Sequence, residues 1–170
     1  MAKLKMELPS ELIKQFDELE KSSDETFGKM SKAGAEVVYK NIKNNMSSVF
    51  SGATKSKMEA GLKITRTYKS PKKDTIGNFV GFYGYIPFSD PNRKVFRRKG
   101  GNGDYYETDK GVPREFLANL YEYGSNSKGI SGARFIKKAQ KKNEIEKAMQ
   151  EVLDKETKSV VKGWCDGETN

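Results

Sequence analysis

The chain has 170 residues, 35% of them hydrophobic, enough for one compact domain with a modest core and too few for two. Its 32 Lys and Arg against 23 Asp and Glu give a formal charge of +9, which suits polyanions or acidic protein surfaces without choosing between them. Histidine is absent, and the single cysteine, Cys165, has neither an internal disulfide partner nor an imidazole to activate it, so most hydrolase and metalloenzyme templates fail and no metal or cofactor is expected.

No apolar run approaches the roughly 20 residues that span a bilayer, and MAKLKMELPSEL lacks the apolar stretch of a secretory signal. The expectation is a protein without membrane contact that stays in the cytoplasm where it is made. Pro9, Ser10 and Glu11 read as a helix start, and Leu12, Phe16 and Leu19 recur on one face of a short helix to about Lys21. Ser22 and Glu25 have capping-box spacing, which predicts that a second helix begins there. Its apolar face is Phe27, Met30, Gly34, Val37, Val38, Ile42, Met46 and Val49, with Lys29, Lys32, Lys40 and Lys43 largely between them. That basic side is either a solvated face or a contact for DNA or a partner.

Ser51-Gly52 predicts the end of this helix, and Met58 to Leu62 a brief helical turn. Leu62, Ile64, Arg66 and Tyr68 then share one side of a strand, with Lys63, Thr65 and Thr67 on the other. Ser70 to Asp74 is a turn by composition. Thr75 to Ile86, TIGNFVGFYGYI, reads as the central strand, bent at Gly77, Gly81 and Gly84. A phosphate-binding loop would need Lys-Ser/Thr after the glycines, and none follows.

The stretch from Pro87 to Pro113 is an extended loop or a hairpin. The hairpin reading puts strands near Lys94 to Lys99 and Asp104 to Thr108, turning at Gly100-Gly101-Asn102-Gly103. It carries Arg93, Phe96, Arg97 and Arg98 opposite Tyr105 and Tyr106, a mixture suited to nucleic acid or to a protein partner. Pro113-Arg114-Glu115 starts a helix with Phe116, Leu117, Leu120 and Tyr121 facing the core and Gly124 as a left-handed cap. Ser125 to Gly132 reads as flexible. A C-terminal helix follows from near Arg134 and is interrupted around Asn143, with Ile145, Met149, Val152 and Leu153 at helical spacing. Gly163 to Asn170 reads as a frayed tail, and Val160 and Val161 just before it and Trp164 within it are candidates to pack on the domain or a neighbour. One domain over residues 1–162, with the 87–113 extension and a flexible 163–170 tail, summarises the organisation.

Glu122, between Tyr121 and Tyr123, has no partner acid or base at a spacing that would make it catalytic. Its structural reading is an ion pair with Arg134 once the intervening loop folds back. The order Ala118-Asn119-Leu120-Tyr121-Glu122-Tyr123-Gly124-Ser125, then a glycine-rich loop, then Gly132-Ala133-Arg134-Phe135-Ile136 opening a basic helix, resembles the small tail-completion or neck proteins of long-tailed bacteriophages. Those proteins carry aromatic-Glu-aromatic-Gly-Ser/Thr, a loop, Ala-Arg-Pro-Phe and a closing helix. This chain lacks the proline, since Phe135 follows Arg134 directly, and its 87–113 segment is longer.

The resemblance implies an α+β fold in which two main helices pack on a small, mostly antiparallel sheet with a protruding loop or hairpin. It also implies a ring, typically of six subunits, that ends tail-tube growth and offers a docking surface to the head-side connector. The partners would be further copies of the chain, the tube protein, the connector and DNA passing through the lumen, with the protein located in the virion. The candidate interface residues are Arg93, Phe96, Arg97, Arg98, Tyr105, Tyr106, Tyr121, Glu122, Tyr123, Arg134 and Phe135. The competing reading is a small basic DNA-binding protein, and a head-side adaptor or stopper protein is the near neighbour.

Overall fold

The computed structural model describes residues 10–70, 75–90, 92–99 and 104–167. It opens with one helix, α1 (Ser10–Asn45), which tightens into a 3-10 turn (Met46–Ser48), followed by α2 (Gly52–Glu59). The helix restart expected at Ser22 does not occur. Ser22 instead lies inside α1, and its carbonyl accepts the Thr26 hydroxyl one turn on at 3.0 Å, an ordinary mid-helix bond. With no proline between Ser10 and Asn45, the capping-box spacing had no chain break to act on. Likewise Ser51-Gly52 opens a helix where an ending was expected, because α1 has already closed at Asn45.

Among the described residues ten short strands follow the helices or alternate with them, and each of their pairings is antiparallel. β1 (Leu62–Ile64) pairs with β4 (Val80–Phe82), with Leu62 opposite Phe82 and Ile64 opposite Val80. β2 (Tyr68–Ser70) pairs with β3 (Thr75–Gly77), and β5 (Tyr85–Ile86) with β8 (Val112–Pro113). The expected turn at Ser70 to Asp74 lies between β2 and β3, but residues 71–74 are outside the described residues. β6 (Val95–Lys99) and β7 (Asp104–Thr108) form the expected hairpin, in register from Val95 opposite Thr108 to Lys99 opposite Asp104. Its turn, at 100–103, is also outside the described residues. The chain is therefore α+β, with small antiparallel pairs in place of a continuous sheet.

The expected long strands are each divided. Between β3 and β4, Asn78 donates its side-chain amide to the Thr65 carbonyl at 2.9 Å and its backbone N–H to Ser31 Oγ on α1 at 2.8 Å. The Phe79 N–H meanwhile goes to Thr65 Oγ1 at 2.9 Å. Side chains thus take over backbone partners that a ladder would have used, and both strands stop at this seam. The result is that 62–68 and 75–86, read as two strands, become β1 with β2 and β3 to β5.

α3 (Arg114–Tyr123) follows β8 directly. Beyond it, Ser125 to Gly132 is ordered, correcting the flexible reading: β9 (Gly124–Ser125) pairs with β10 (Ile130–Ser131) around a 3-10 turn at Asn126–Lys128. Gly124 has φ 81 and ψ −180, so it leaves the helix into a strand and not into the left-handed cap expected. A Cβ there would also stand 2.6 Å from the Ile130 carbonyl oxygen. α4 (Phe135–Ala139) and α5 (Lys142–Gly167) complete the chain. The interruption falls at Gln140–Lys141 and not at Asn143, and the helix continues to Gly167 where a frayed tail was expected. Residues 168–170 are outside the described set.

α5 lies antiparallel along α1. Lys29 meets Glu156, Gly34 meets Ile145 and Met149, and Asn41 meets Glu144. Gly34 allows the close approach, because a Cβ there would be 3.1 Å from Ile145 Cγ2. The core sits at the other end of α1, where Ile42, Met46, Phe50, Met58, Leu62, Phe82, Ala118, Phe135 and Ala139 form one buried cluster. Among the described residues no helix is long and apolar enough to cross a membrane.

Candidate functional site

The motif that carries the family resemblance closes into one joint between α3 and α4. Glu122 is 4% exposed and is the one charged or polar residue buried among those described. Its carboxylate accepts the Ile136 N–H at 2.7 Å and the Lys137 N–H at 3.0 Å, so it caps the free amides at the start of α4. Backbone bonds run parallel to these, from Ala133 N–H to the Tyr121 carbonyl and from Arg134 N–H to the Glu122 carbonyl.

The expected ion pair between Glu122 and Arg134 is therefore corrected. Arg134 reaches Glu122 through its backbone, and among the described residues the two side chains form no ion pair. The reason lies in the backbone: Arg134 has φ 50, a left-handed conformation that turns the chain so that the next two amides, not the guanidinium, meet the carboxylate. Its side chain is left exposed.

α1 grips the same short helix from the other side. Asn45 Nδ2 donates to the Phe135 carbonyl at 3.0 Å, and Asn41 Nδ2 donates to the Ala139 carbonyl at 3.3 Å and to Glu144 at 2.8 Å. Hydrogen bonds from Lys141 and then Asn41 hold the Glu144 carboxyl below its ordinary range. Phe135, 1% exposed, stands edge-on to Phe50 at 5.7 Å and to Phe82 at 6.2 Å, while Tyr121 packs edge-on against Phe50 at 4.9 Å. Tyr121, Glu122 and Phe135, candidates for a partner surface, thus face inward in this chain. Tyr123 and Arg134 are exposed.

The hairpin candidates lie apart from the joint. Arg97 is in register with Tyr106, Arg98 with Tyr105 and Phe96 with Glu107. β6 and β7 make their principal contacts with each other. Arg93 precedes them, with its guanidinium 5.1 Å from the Phe88 ring centre. The structure does not bring the two candidate groups together into a single site.

Sequence reading missed Arg114. Its Nε donates to the Lys57 carbonyl at 2.7 Å, one of the carbonyls left free at the end of α2, and its Nη1 donates to the Tyr83 carbonyl at 2.9 Å. It missed Asn41 and Asn45 as well, although their four-residue spacing places both on one helix face, which was the available signal. It also put Phe116 in the core, whereas Phe116 is 51% exposed with Lys128 Nζ 5.6 Å from its ring centre; Ala118 holds the buried place.

Other exposed aromatics are Phe27, Tyr68, Phe79, Tyr83 and Tyr85. Phe79 and Tyr83 belong to the outer side of the β1–β4 pair, opposite the buried Leu62 and Phe82. Among the described residues no group of three or more His, Cys, Asp or Glu is placed to hold a metal ion. Comparison with family models, with curated proteins and with solved structures finds no match.

Proposed function

We propose that this protein is a ring-forming tail terminator or completion protein, located at the head-proximal end of a bacteriophage tail tube. It would end tube growth and join the tail to the head-side connector by association, without catalysis. The observation that carries this reading is the closure of the motif. The two segments that resemble the neck proteins meet in one joint, with Glu122 fixing the start of α4 and Phe135 in the core.

The surface supports the same reading. A closed ring needs two different complementary faces on each subunit. Phe79 and Tyr83 offer an aromatic face on the β1–β4 pair, and the β6–β7 hairpin forms a separate extension suited to reaching a neighbour or the tube. A head-side adaptor would use the same kinds of surface, and which end of the neck the ring occupies follows from what it binds.

Light scattering and negative-stain microscopy of the purified chain, alone and with assembled tail tubes at moderate salt, test the proposal. Rings, or a monomer that becomes a ring only at tube ends, are the expected result. A monomer that ignores tubes overturns it.

A further inference from the structure

We propose that the cleft between the end of α3 and α4 binds a single nucleic-acid strand, with Arg134 and Lys137 on its phosphates and Tyr123 stacked on a base. This inference stands apart from the ring proposal, since strand binding and assembly are separate readouts.

The cleft has a volume of about 360 Å³, and Asn119, Tyr123, Arg134, Lys137 and Gln140 supply its polar rim. Arg134 and Lys137 are exposed, and among the described residues neither takes part in an ion pair. The one acid in the lining, Glu122, already gives both oxygens to the amides of Ile136 and Lys137. Its charge remains, but Arg134 and Lys137 outnumber it and leave the rim net positive, and because it also occupies the start of α4 an anion here is held by side chains alone.

The backbone that carries the Arg134 side chain is fixed in place before any ligand arrives. Its N–H donates to the Glu122 carbonyl at 3.1 Å, its own carbonyl accepts the Lys138 N–H at 2.9 Å, and the backbone between them is held at φ 50. Such anchoring lowers the ordering cost of binding. The guanidinium fork suits phosphate oxygens, and the ammonium adds a second, freely rotating donor set.

Tyr123 decides the class of ligand. It is 78% exposed, the most exposed large aromatic among the described residues, and it stands on the rim beside the two cations. A flat ring next to paired cations matches the alternation of base and phosphate in an unpaired strand. An acidic peptide would use the cations and leave the ring without a partner. The side-chain amides of Asn119 and Gln140 offer donors and acceptors to either a base edge or a phosphate.

Fluorescence anisotropy of the full chain with labelled oligothymidylate of about 15 nucleotides, across a salt series, is the test. Tyr123→Ala is expected to weaken binding at least about 5-fold at fixed salt. Arg134→Gly combined with Lys137→Gln should reduce the slope of log K against log salt by about 1.4, the effect of two phosphate contacts on a single strand. Glycine is chosen at 134 because it accepts the positive φ without strain.

The control is Lys147→Gln with Lys158→Gln, which removes the same charge from exposed positions on α5. Equal losses in the control pair and the cleft pair would mean diffuse attraction to a basic protein and would overturn the proposal. So would unchanged binding in Tyr123→Ala, stronger competition by duplex DNA than by the single strand, or equal competition by polyglutamate of matched charge. A ring that binds no strand refutes this inference alone, and a monomer that ignores tubes but binds a strand refutes only the assembly proposal.

Discussion

In the α3–α4 joint a single carboxylate, Glu122, is almost wholly buried and spends both oxygens on backbone amides, whereas along α1 and α5 the charges meet in water. There Lys29 pairs with Glu156 at 2.7 Å with side chains 54% and 26% exposed, and Lys141 pairs with Glu144 at 2.8 Å with 57% and 48% exposed. Both regions are held by polar contacts, yet they differ in what replaces them. Water can serve the exposed ions if a partner is lost. The two part-buried amides behind Glu122 lose a charged acceptor that water replaces less well, so this one acid outweighs any single exposed salt bridge. Counting ion pairs along the helices would locate the stability in the wrong half of the molecule.

The sharpest way to break this comparison is Glu122→Ala, which takes a charged acceptor from two part-buried donors and should cost about 3 kcal/mol in urea unfolding. Glu122→Gln keeps one acceptor but sets an NH2 group against the second amide, so its midpoint should fall between the alanine variant and the parent. If both variants unfold where the parent does, the joint does not have the role assigned to it.

A middle-sized effect belongs to the seam itself, where packing and not charge is at stake. Gly34→Leu should cost about 1–3 kcal/mol, because Ile145 and Met149 fill the space its side chain needs. Parent-like stability would show a seam looser than the structure describes.

The smallest effect is expected from Lys29→Met, with no resolvable change in the neutral-pH midpoint. The hydrogen bond that Lys29 donates to Glu156 raises the Lys29 pKa on folding, so the contribution is complete below the ordinary lysine range and is lost as pH rises through the raised value. Parent and variant should converge at high pH. A large neutral-pH loss would put the helix pair on a par with the joint and remove the contrast.

How much of this was legible beforehand varies with the kind of signal. The β6–β7 hairpin could be read because alternating bulky residues flank Gly100-Gly101-Asn102-Gly103, a local pattern that needs no tertiary partner. α3 was legible for the same reason, between Pro113 and Gly124. The Ser22 restart failed because capping spacing is equally compatible with a helix interior, and only a competing chain path would have made it an end. The division of 75–86 was not legible, since Asn78 stops the strand through Thr65 and Ser31, partners 13 and 47 residues away. At the joint, the sequence pointed to Glu122 and Arg134 as related positions but to the wrong atoms. A positive φ at an arginine has no sequence signature, and it is that angle which sends amides instead of a guanidinium to the carboxylate.

Arg114 is fitted into space that two glycines leave empty. A Cβ on Gly61 would lie 2.0 Å from its Cδ, and one on Gly84 would lie 2.8 Å from its Nη1. Its own backbone N–H also donates to the Gly84 carbonyl at 3.0 Å. These three positions are consequently one unit of inheritance spread over three codons. A lineage that gives up the arginine still meets the Tyr83 carbonyl oxygen 2.7 Å from a Cβ at Gly61, while a lineage that acquires alanine there first must move both the arginine and that carbonyl. The order of substitutions is thereby constrained at a place that adjoins Tyr83, one of the two exposed aromatics of the proposed partner face.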